Sequence, residues 1–168
     1  FQSLDSASQK RFLVLKHLAK LVEEKFEKLP YSSQGLLDNI GKKIDELLGN
    51  YLTLLDLIKR YEIYLNTSLE NNLKEEVIRQ IEEIKTIESE KLKRTKARRV
   101  AIMQKRLQKF KIAKEKYLVC ETHLETIEDA VRYIYEQSMT MSNPEEIGFQ
   151  LDNLLTEVDE TSQLIDDL

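Results

Sequence analysis

The residues of this 168-residue chain that could do chemistry are few, and one group of them is crowded. Between Lys91 and Lys116 stand twelve Lys and Arg side chains and a single acid, Glu115. Cations at that density neutralise the phosphates of nucleic acid or of anionic lipid head groups. The plainer reading is a solvated helix face balanced by acids elsewhere in the chain, and a third is contact with an acidic protein. Aromatic residues interleave only as Phe110 and Tyr117, which gives little support to a stacking platform for single strands. No helix-turn-helix or other nucleic-acid motif is present.

Other chemistry is sparsely provided. His17 and His123 stand outside any metal-ligand spacing. A ferritin-like centre needs Glu-x-x-His on two helices, yet Val14 precedes His17 and Cys120 precedes His123 at that offset. Glu121 and Glu125 beside His123 read as ordinary surface carboxylates. The four Gly are scattered, so no phosphate-cradling loop forms. Cys120 is the single cysteine, which excludes an intrachain disulfide and reads as a small apolar residue of a helix seam. Tyr51, Tyr61, Tyr64, Tyr133 and Tyr135 fall at helical spacing, as seam and rim residues do. These residues predict a protein that is not an enzyme, with no catalytic residue, no cofactor and no metal.

Charge is strongly segregated beneath a net −4. Residues 1–90 sum to −3, residues 91–116 to +11 and residues 117–168 to −12. This distribution, and not the overall balance, bears on partners.

The elements that carry these residues read as helices. Charged residues make up 33% and hydrophobic ones 41%, with no Trp and two Pro, a balance suited to long helices rather than sheets. Ser6-Ala7-Ser8-Gln9 predicts a capped helix start, followed by Phe12, Leu15, Ala19, Val22, Phe26 and Leu29 on one seam. Pro30 ends that helix. A second helix starts near Ser32 or Ser33 and carries Ile40, Ile44, Leu47, Tyr51, Leu54, Ile58, Tyr61 and Leu65. From Leu69 to about Met141 there is neither Gly nor Pro, which predicts one very long third helix. Its seam holds Leu73, Val77, Ile81 and Ile84, thins between Glu88 and Arg99, and resumes through Val100, Met103, Leu107 and Phe110. It then runs on from Tyr117 and Cys120 to Ile134. Asn143-Pro144-Glu145-Glu146 opens a fourth helix with Ile147, Leu151, Leu154 and Val158.

The fold class is therefore all-α: an elongated antiparallel coiled-coil or helix bundle of four helices, the third (about 69–141) very long. The expected lobes are 1–104 and 105–168, sharing that helix. A reversal near Asn66–Ser68 would bring Glu23, Glu24, Glu27 and Asp38 beside Arg94, Lys96, Arg98 and Arg99. That arrangement leaves Lys105 to Lys116 without a partner helix. Lys105, Arg106, Lys109, Phe110, Lys111, Lys114 and Lys116 are thus the candidate binding or dimer surface.

The expected function is a non-enzymatic scaffold or oligomerisation module within a larger protein, with a protein partner or a second copy. Binding of anionic lipid or nucleic acid through the basic helix is the alternative. No stretch is apolar enough to span a bilayer, and the expected setting is cytoplasmic, either free or as the soluble part of a membrane-anchored protein.

Overall fold

A computed structural model describes residues 1–28, 34–140 and 144–166. Among the described residues there are five helices and no strand: α1 (Ser6–Glu27), α2 (Gln34–Leu65), α3 (Leu69–Lys85), α4 (Glu90–Met139) and α5 (Pro144–Asp166). The breaks expected at Pro30–Ser33 and the cap expected at Asn143 lie outside the described residues. Packing divides the chain into two units. The first combines residues 1–59 with 119–168, and the second runs from 60 to 118. Both units are therefore built from parts of α2 and α4, whereas the lobes 1–104 and 105–168 expected from sequence were cut at a single point.

The first unit is a helix bundle whose interior follows the predicted seams. Phe12, Leu15, Ala19, Val22 and Phe26 of α1 are buried, as are Ile40, Ile44, Leu47, Tyr51, Leu54 and Ile58 of α2. The end of α4 contributes Cys120, Leu124, Ile127, Val131 and Ile134, and α5 contributes Ile147, Leu151, Leu154 and Val158. Each set recurs at three- and four-residue steps, so one stripe of each helix leaves water, and that burial is the main stabilising term. Cys120 is fully buried among these residues, as its neighbours in the seam require. Polar contacts tie the helices at their edges: Lys43 Nζ donates to Asp152 Oδ2 at 2.8 Å, and Lys59 Nζ to Asp5 Oδ2 at 3.1 Å.

The start of α1 lies one residue earlier than Ser6 suggests. Asp5 is the cap, accepting the Ser8 backbone N–H at 2.8 Å, and Gln9 donates its side-chain amide to the Leu4 carbonyl. A carboxylate suits this position better than a hydroxyl, because it also meets the positive helix terminus and Lys59. The hydrogen bonds from Ser8, then that from Lys59, hold the Asp5 carboxyl down to about 2, from an ordinary 3.8. A lowered folded value means that the stabilisation is present above pH 3.8 and is lost as pH falls through about 2. Asp5→Ala is accordingly expected to lower the thermal midpoint at neutral pH. Circular dichroism melts of the two proteins should then converge as pH approaches 2.

The second unit corrects the sequence expectation of one helix over 69–141. The chain reverses at Thr86–Ser89, and α4 returns antiparallel along α3 and the end of α2. Thr86 Oγ1 donates to the Glu83 carbonyl at 2.8 Å, while Thr86 N and Ile87 N close tight three-residue turns onto Glu83 and Ile84. Ser89 then opens α4, its Oγ accepting from Leu92 N and its carbonyl from Lys93 N. Neither Gly nor Pro is needed, because Thr and Ser compete for backbone groups at helix ends. The gain from reversal is a paired seam: Leu73, Val77, Val100 and Met103 form one buried cluster, with Leu69, Ile84 and Leu107 packed against it.

A second correction follows at Asn66–Ser68, where a reversal was expected. Tyr64 of α2 stacks on Phe110 of α4, and Leu69 of α3 packs at the cluster that Leu107 joins. Residues on both sides of Asn66–Ser68 thus meet the same helix. The segment is an interruption between α2 and α3, after which the chain continues along α4.

Candidate functional site

The antiparallel return of α4 sorts its cations. Those on the side facing α3 are taken up by acids: Lys96 by Glu83 at 3.2 Å, Arg99 by Glu76 at 3.4 Å, and Lys114 by Glu70. The hydrogen bond from Lys114, and a second from Lys74, lower the Glu70 carboxyl below its ordinary value. Arg79, then Gln80 and Arg99, do the same for Glu76. The charge match expected between Arg94, Lys96, Arg98, Arg99 and the acids Glu23, Glu24, Glu27 and Asp38 is therefore replaced. α3 supplies the partners, because the turn at Thr86–Ser89 puts an acidic helix beside a basic one.

The apolar side of the basic stretch is covered as well. Phe110 is 1% exposed, with its ring centroid 4.8 Å from that of Tyr64, and Lys109 Nζ lies 5.8 Å above the same Tyr64 ring. Ala113 is buried and Leu107 and Ile112 are half-buried. The expectation that Lys105 to Lys116 lacks a partner helix is thus overturned, and with it the need for a second copy to cover Phe110. Of the seven candidate residues, Phe110 belongs to the core and Lys114 to an ion pair. Lys116 is half-buried and already engaged within the chain.

Lys105, Arg106, Lys109 and Lys111 remain exposed. Lys91, Arg94 and Arg98 join them, also exposed and also without an ion pair among the described residues. Numbers 91, 94, 98, 105 and 109 advance by three, four or seven, so these five residues lie on one line along α4, with Lys109 at its end leaning its Nζ over Tyr64 of α2. Lys111 and Arg106 stand on its two flanks. Ile102, 60% exposed, and the exposed Gln104 and Gln108 fill the gaps. The second unit holds sixteen Lys and Arg against nine acids, a formal +7, whereas the first holds ten against twenty-one, a formal −11. Sequence spacing did contain this signal, but the even spread of cations around α4 hid it until the inward ones were assigned.

Two polar features of the first unit were not foreseen. Glu128 Oε1 accepts from both Arg11 Nε and the Tyr51 hydroxyl, while Arg11 also reaches Glu121 at 3.4 Å. Tyr51 is fully buried, and burial followed by the hydrogen bond to Glu128 raises its phenol above the ordinary value of 10.0. Separately, Glu23, Glu27, Asp38 and Asp45 line an open groove of about 660 Å³ together with Lys42. Burial, then the nearby Asp45 and Glu27, raise the Glu23 carboxyl. Among the described residues no cluster of three or more His, Cys, Asp or Glu has the geometry to hold a metal ion, and no helix is long and apolar enough to cross a membrane. His17 is exposed and His123 half-buried. No protein-family model, curated protein or solved structure matches this chain.

Proposed function

We propose that the chain is a non-enzymatic helical scaffold whose second unit presents the outward side of α4 to an anionic macromolecular surface. The observation that carries this reading is the sorting of cations along α4. The acids of α3 neutralise Lys96, Arg99 and Lys114, while Lys91, Arg94, Arg98, Lys105 and Lys109 stay exposed in a line. Like charges so arranged repel one another and oppose the compact state, and a polyanion relieves that repulsion. Heparin, an anionic polymer with no base or lipid character, tests the class. Retention on immobilised heparin is expected to fall steeply with salt and to be abolished by Lys109→Glu with Lys111→Glu. Equal retention of the variant would sink the reading.

A second reading, self-association, draws on the opposite formal charges of the two units. It predicts a dimer at low ionic strength that dissociates as salt screens the attraction. Sedimentation of a monomer across a wide concentration range at low salt would remove it.

A further inference from the structure

We infer that the anionic surface is the major groove of double-stranded DNA, entered by the α4 segment from Lys91 to Lys111; this rests on the cationic-face reading above. At ~100° per residue, the cations of this segment outside the α3 ion pairs spread over an arc of about 220° of the helix. Arg94, Arg98 and Lys105 form its crest. The exposed Lys111 holds one flank, and Arg106 with Lys109, which leans over Tyr64, the other. Phosphates must therefore approach α4 from the front and from both sides to meet them all.

A flat bilayer offers charge from one side only. A helix lying in a bilayer interface also sinks an apolar face into it. The apolar face of α4 is spent on α3 and α2, where Val100, Met103 and Phe110 are buried. What α4 turns outward between the crest cations is Ile102, with Leu92 near the helix start. A groove fits the arc better. The major groove of B-form DNA is about 12 Å wide, and a helix with its side chains is about 10–12 Å across. Crest residues would then point into the groove and flank residues to the two phosphate rims. Gln104 and Gln108, exposed between the cations, add neutral donors suited to phosphate or base edges. Single strands are a poor match, because the one large aromatic of this segment, Phe110, is buried against Tyr64. Duplex RNA is a poor match too, its major groove being deep and narrow.

Fluorescence anisotropy of a short mixed-sequence DNA duplex, titrated across a salt series, provides the test. An RNA duplex, phosphatidylserine vesicles and heparin are run in parallel. The full chain is expected to bind the DNA duplex with a logarithmic salt slope of roughly −4 to −5, from about five phosphate contacts. Lys109→Gln with Lys111→Gln, one cation from each flank, should reduce that slope by about 2 and weaken binding at least tenfold at fixed salt. Lys16→Gln with Lys20→Gln, an equal charge change on exposed residues of α1, should leave both unchanged. Retention on heparin without DNA binding overturns the inference and leaves the cationic-face reading standing. Capture by vesicles alone, or equal affinity for the RNA duplex, also overturns it. Loss of binding to every polyanion overturns both.

Discussion

Phe110→Ala is expected to lower the unfolding free energy by about 3–5 kcal/mol, as removal of a buried aromatic ring generally does. The residue sits in the middle of the most basic stretch of the chain, with Lys109 and Lys111 beside it, and sequence alone makes it a surface contact. Its 1% exposure and the ring of Tyr64 at 4.8 Å make it a core residue instead. Truncation leaves a cavity between α2 and α4 and forfeits the ring pair, itself worth about 1 kcal/mol. Urea unfolding of the monomer, followed by circular dichroism, measures the loss. A dimer contact would behave differently: the monomer's stability would be unchanged and only association would suffer. An unaltered midpoint at low protein concentration would refute the assignment.

Glu128→Ala is the second large effect, expected to cost roughly 2–3 kcal/mol, because it leaves a buried phenol and a half-buried guanidinium without their shared acceptor. Partial solvent access to Arg11 and Glu128, with side chains 32% and 22% exposed, keeps the figure below that of a fully buried pair. Tyr51→Phe removes one donor and is expected to cost about 1 kcal/mol. In the double variant the two losses should not add, since Tyr51 and Glu128 share one hydrogen bond. Additive losses would show that the hydroxyl contributes nothing through Glu128. The same contact sets an alkaline limit. The folded state holds the Tyr51 proton more tightly than the unfolded chain, whose phenol titrates near 10.0. Its stabilisation is therefore complete below that pH and is lost as pH rises above it toward the higher folded value. Tyr51→Phe should flatten the decline in stability above pH 10.0, a difference readable in urea midpoints taken across that range.

The reversal at Thr86–Ser89 shows why one part of the fold was illegible. A helix-compatible run without Gly or Pro carries no local instruction to stop, and Thr86 and Ser89 are individually weak signals. What stops the helix is the gain on the far side of the turn, where Leu73 and Val77 meet Val100 and Met103. One sequence feature does foreshadow it. The stretch from Leu69 to Glu90 holds seven acids against three cations and directly precedes the basic stretch. Adjacent segments of opposite charge are what a hairpin of two helices brings together, as the Lys96–Glu83 and Arg99–Glu76 pairs do. The same contacts separate the cations of α4 into engaged and exposed sets, a division no periodicity could make alone.

By itself, the sequence determined the helical class and most of the buried stripes, because period-3.6 spacing of apolar residues is a local property of the chain; Ile81, expected in the seam of α3, is instead 38% exposed. Phe12 to Phe26, Ile40 to Ile58 and Ile147 to Val158 are buried as that spacing requires. It also determined that Cys120 belongs to a seam. The tertiary structure alone decided which stripe meets which. Apolar seams are interchangeable partners for one another, so spacing leaves the choice open, and turns of a few residues fix it. Placing the reversal at Thr86–Ser89 rather than Asn66–Ser68 moved Phe110 from the surface to the core. It also left Lys91, Arg94, Arg98, Lys105 and Lys109 as the cationic line of α4.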